Sequence, residues 1–81
     1  MLSMTKESKL KPEDVIKRAV IFFGSKGLGL ILKEEDKNSV YLEGGGGGVR
    51  VTASTGKKGS TVDVETREWE SQVKDFMAVL K

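Results

Sequence analysis

The stretch Val40-Tyr41-Leu42-Glu43-Gly44-Gly45-Gly46-Gly47-Gly48-Val49-Arg50-Val51-Thr52-Ala53 decides the fold. Apolar and polar residues alternate on both sides of the five glycines, the period of a half-buried strand. Val40 and Leu42 point inward and Tyr41 and Glu43 outward; Val49, Val51 and Ala53 point inward and Arg50, Thr52 and Ser54 outward. The run Gly44–Gly48 then reads as the tip joining two antiparallel strands, a mobile hairpin loop. The rival reading is a phosphate cradle. A Walker-type loop leads into a helix through Lys and Ser or Thr. These glycines lead into a strand, and ordering each would cost ~0.5–1 kcal/mol more than an alanine.

Working outward, Leu28, Leu30 and Leu32 alternate with Gly29, Ile31 and Lys33, giving a strand whose leucines face inward. The tract Glu34–Ser39 is its turn. On the other side Thr55–Gly59 is a turn, and a last strand follows with Val62 and Val64 inward and Thr61, Asp63, Glu65 and Arg67 outward.

Helices flank the strands. Pro12 suits a first helical position, and Glu13 and Asp14 suit the positive end of the dipole. Val15, Ile16, Ala19, Val20, Phe22 and Phe23 form a wide apolar stripe, so a helix is expected over Pro12–Phe23, closed by Gly24 as a C′ glycine. Two adjacent phenylalanines cannot both point inward. Trp69, Val73, Phe76, Met77 and Leu80 mark a closing helix over Glu68–Leu80, with Trp69 as a core residue. The expectation is an α+β two-layer sandwich in the order α-β-β-β-β-α. A four-stranded antiparallel meander carries its N- and C-terminal helices on one face, and its other face is open to water. Residues 1–11 read as a flexible N-terminal arm and residues 12–81 as a single α+β domain.

Composition narrows the chemistry. The 81 residues contain no cysteine and no histidine. Disulfides and thiolate sites are thereby excluded, a zinc or copper site is not expected, and neither are a cofactor and a metal. The lack of disulfides in so small a domain points to a reducing, cytoplasmic compartment. No apolar run is long enough to span a membrane, and Met1–Lys11 lacks the apolar core of a secretory leader. Fourteen basic against twelve acidic residues leave a net charge of +2, a small excess for a nucleic-acid binder.

The candidate chemistry is thin. Gly24–Gly29 resembles a phosphate loop but follows a helix, whose C-terminal end repels anions, so it reads as a helix-to-strand turn. Lys57 and Lys58 occupy a hairpin tip, where lysines usually block edge pairing. Asp63 and Glu65 share one strand face with Arg50 and Arg67, an arrangement for cross-strand salt bridges. No serine or threonine has a histidine to activate it, so an enzyme is not expected. Tyr41 is the single aromatic on the open face, too few for a base-stacking platform. A core just filled by 81 residues leaves little room for a small-molecule pocket.

The sequence therefore points to a small non-enzymatic binding module. It would meet a protein partner, or its own copy as a homodimer, through the open sheet face or an edge strand. The alternative is weak anion or nucleic-acid binding through Arg50, Lys57, Lys58 and the Gly44–Gly48 loop. Tyr41, Arg50, Lys57 and Lys58 are the candidate binding residues.

Overall fold

The computed structural model describes residues 2–81. The elements are β1 (Leu2–Ser8), α1 (Pro12–Phe23), β2 (Ile31–Glu35), β3 (Ser39–Gly44), β4 (Gly47–Thr55), β5 (Ser60–Arg67) and α2 (Glu70–Val79). The class is α+β. One antiparallel sheet has five strands in the order β1-β5-β4-β3-β2, with both helices against one face.

The fifth strand corrects the reading of residues 1–11 as an arm. Met1 lies outside the described residues, but Leu2–Ser8 pairs with β5 along its whole length, from Leu2 opposite Thr66 to Ser8 opposite Ser60. Leu2 and Met4 pack against the core and Ser8 is buried. Between them, Lys6 points to the same side and donates from Nζ to the carbonyls of Met77 and Leu80 at the end of α2. A cation there completes a helix C-terminus, whose last carbonyls have no intrahelical donor. The alternation is thus real, but a lysine in an inward position makes it look polar.

The sheet's helix-facing side is built of cross-strand rows. Val40, Val51, Val64 and Met4 form one; Leu42, Val49, Thr66 and Leu2 form the next. Every valine and leucine of β3, β4 and β5 in these rows is fully buried. Each such side chain contributes about 1.5–3 kcal/mol through burial. Thr66 is the polar member, and its hydroxyl donates to the Gly48 carbonyl at 2.9 Å. Above the sheet α1 lies across β3, β4 and β5, while α2 lies against β5. Phe23 is fully buried and Phe22 partly so; both rings meet Phe76 of α2, at 5.2 and 5.4 Å between centroids. This three-ring cluster joins the helices.

Two boundaries differ from expectation. Of Leu28, Leu30 and Leu32, Leu30 alone is buried, and the strand starts only at Ile31. Residues 24–28 turn back on α1, with Leu28 N–H donating to Phe22 O and Leu30 N–H to Phe23 O. A bulge between Leu32 and Glu34 shifts the register on β3, so the alternation does not carry through. Gly24 is not a left-handed cap; its backbone is extended at φ −80°. A side chain there would strike the Val20 carbonyl. At the other end α2 begins at Glu70, because Glu68 has φ +74° and Trp69 is the N-cap.

Candidate functional site

The glycine run is built into the sheet rather than looping out of it. Gly44 ends β3 and pairs with Gly47 at the start of β4, leaving Gly45 and Gly46 as a two-residue turn. Their φ values of +58° and +83° suit a primed hairpin turn, which requires positive φ at both positions. The remaining glycines answer to space. A Cβ on Gly47 would strike the Arg67 carbonyl, and one on Gly48 would lie 2.6 Å from the Tyr41 hydroxyl. The tip is also held from the side, by the Trp69 indole N–H donating to Gly44 O at 2.8 Å.

On the open face, register sets the neighbours. Ile31, Glu43, Gly48 and Arg67 form one row; Tyr41, Arg50 and Glu65 form the next. Gly48 has no side chain, so the first row has a gap between Glu43 and Arg67. Tyr41 leans diagonally over part of it, within the reach of an aromatic across a sheet. The rest is a solvent-open cleft of about 680 Å³ floored by Gly46–Gly48 and bounded by Ile31, Lys33, Tyr41, Arg50, Glu65 and Arg67. The expectation of little room for a pocket considered the core alone; this cleft lies on the opposite face.

The electrostatics are local. Tyr41 donates its hydroxyl to Glu43 Oε2 at 2.9 Å. That hydrogen bond, with lesser help from desolvation and the Glu43 charge, raises the phenol pKa above its ordinary value. Arg50 and Arg67 pull it the other way. The Arg50 guanidinium carbon sits 4.9 Å from the Tyr41 ring centroid, a cation–π distance. Arg50 reaches Glu34 of β2 at 3.5 Å, a long and exposed contact of little energetic weight. Among the described residues, neither Arg50 nor Arg67 forms the cross-strand salt bridge expected with Asp63 or Glu65. Asp63 instead accepts from the Thr5 hydroxyl at 2.7 Å. Among the described residues, the side chains of Lys33 and Arg67 have no ion-pair partner.

Tyr41 and Arg50 are thus brought together, as stacked neighbours in the cleft. Lys57 and Lys58 are not. They stand in the β4–β5 turn, at the far end of the nine-residue strand β4. At ~3.3 Å per residue that is about 26 Å from the glycine turn. Lys33, Arg67 and Ile31 are among the cleft residues that the sequence pattern did not single out as candidates. Arg67 was legible as a same-face neighbour of Arg50, but the gap at Gly48 that unites them depends on register. Among the described residues no group of three metal-ligating side chains converges, and no helix is long and apolar enough to cross a membrane.

Comparison of the chain with protein-family models, curated proteins and solved structures gives no match.

Proposed function

We propose that this chain is a small non-enzymatic interaction module that meets a protein partner, or a second copy of itself, along β2 and the adjoining open face. One observation carries the reading. β2 is an edge strand whose five residues are all exposed, including Ile31 at 62% and Leu32 at 40%. Leu28, just before it, is also exposed.

A free edge presents unpaired N–H and C=O groups, and an extended segment can add to it as a further strand. The apolar start of β2 would supply contact area. Its second half, Lys33-Glu34-Glu35 with the bulge, would limit pairing to a short partner of matching charge. The lack of histidine and cysteine supports a non-enzymatic role.

The test is sedimentation and affinity capture with the wild type and with Ile31→Lys/Leu32→Lys. Concentration-dependent association or specific capture, lost in the variant, is the expected result. A strict monomer whose captured proteins are the same in both forms would overturn the proposal.

A further inference from the structure

Apart from Ile31, the cleft at the glycine hairpin is built of features that edge pairing does not use. Its floor is the Gly46–Gly47 backbone together with the Tyr41 ring, which lies over Gly48 where a side chain would otherwise stand. A ligand can therefore approach the main chain closely at Gly46 and Gly47. One wall is already formed by the Arg50 guanidinium over the Tyr41 ring, 4.9 Å from its centroid. Ile31, 62% exposed on β2, adds an apolar wall. The volume, about 680 Å³, lies within the range of small-molecule sites.

The charges favour a single anionic group. Three cations line the cleft, Lys33, Arg50 and Arg67, against the carboxylates Glu43 and Glu65. Glu43 is engaged by the Tyr41 hydroxyl, whereas Arg67 and Lys33 have no ion-pair partner among the described residues. Arg50 and Arg67 sit diagonally across β4 and β5, two register positions apart with the Val49–Thr66 pair between them, within reach of a common ligand. Guanidinium forks suit the paired oxygens of a carboxylate or phosphate. A polyanion fits poorly: Glu65 and Asp63 lie along the same face, and Lys57 and Lys58 stand at the distant end of β4.

We propose that this cleft binds a planar organic anion. Its ring lies against the Gly46–Gly47 backbone beside Tyr41 and Ile31, and its carboxylate or phosphate lies between Arg50 and Arg67, with Lys33 at the mouth. The site is open to water, so binding is weak and falls with salt.

The experiment is an amide NMR titration of the whole chain at low salt, with phenyl phosphate, benzoate, inorganic phosphate and benzyl alcohol as separate probes. Phenyl phosphate and benzoate should give saturable shifts at Gly46–Gly48, Arg50 and Arg67. Inorganic phosphate and benzyl alcohol should each bind about fivefold or more weakly, because each lacks one half of the recognition. Arg67→Gln and Arg50→Gln, both surface changes, should each weaken phenyl phosphate by about fivefold. The double variant Lys57→Gln/Lys58→Gln should bind it as the wild type does. Any of three results overturns the proposal: no saturable shift by about 10 mM, a weaker limit than any specific site warrants; shifts centred on Gly56–Gly59; or inorganic phosphate binding as tightly as phenyl phosphate.

Discussion

The indole N–H of Trp69 donates to the carbonyl of Gly44 at 2.8 Å, so the N-cap residue of α2 holds the last residue of β3. The same ring covers the turn, since a side chain on Gly45 would begin 3.0 Å from Trp69 Cζ2. This clasp anchors the floor of the cleft to the closing helix.

Replacing Trp69 with Phe keeps an apolar ring and removes the donor. The expected loss is about 1 kcal/mol, that of one hydrogen bond to a half-buried carbonyl. The urea midpoint should fall accordingly, and the amides of Gly45 and Gly46 should exchange faster. An unchanged exchange rate would mean that the turn holds itself.

Tyr41 is the single tyrosine in the chain, so phenolate absorbance reports on it alone. Its midpoint should lie above the ordinary 10.0, chiefly because the hydroxyl donates to Glu43. In Glu43→Gln the midpoint should drop, leaving Arg50 and Arg67 to favour the phenolate. The sign for stability follows from linkage: a folded pKa above the unfolded one gives a contribution present below about pH 10 and lost as pH rises through the folded value. A midpoint unmoved by Glu43→Gln would deny the hydrogen bond.

Gly48 and Tyr41 should be coupled. A Cβ on Gly48 would fall 2.6 Å from the Tyr41 hydroxyl and 2.9 Å from Cε1, so Gly48→Ala must displace the ring. With Tyr41→Ala in place that obstacle is gone. There the same change should be neutral or stabilising by up to about 1 kcal/mol, because a strand glycine costs unfolded-state entropy. Urea unfolding of the double-mutant cycle should give a coupling of about 1 kcal/mol. Additive effects would place Tyr41 elsewhere.

What the sequence made legible was set by period, and what it hid was set by tertiary partners. Val40, Leu42, Val49, Val51, Ala53, Val62 and Val64 alternate strictly and are all buried, because β3, β4 and β5 lie under α1. Both helices were legible from their stripes, α1 over Pro12–Phe23 without adjustment. Leu28 and Leu32 alternate as well, yet both are exposed, since the chain reaches β2 through a turn and the strand is bulged at the sheet's edge. Strand β1 failed the pattern because its inward lysine answers to the carbonyl end of α2, about seventy residues away in sequence. The cleft was half legible. Tyr41 and Arg50 stand out locally, but their union with Arg67 and Gly48 depends on the β4–β5 register, which no single segment encodes.

Lys6 gives a direct test of that long-range tie. Its ammonium donates to the carbonyls of Met77 and Leu80, while Lys9 N–H donates to Lys81 O at 3.1 Å, so β1 and the end of α2 close on each other. Lys6→Met keeps most of the apolar stem but removes the charge and both hydrogen bonds. The expected loss is about 1–3 kcal/mol, read from the urea midpoint. Lys6→Arg, which retains charge and donors, should recover part of it. A chain beginning at Lys9 should lose cooperative unfolding, because β5 would then expose its edge and Val62 and Val64 their flank. If that shortened chain unfolds at the wild-type midpoint, residues 2–8 are an arm after all and β1 contributes nothing to the fold.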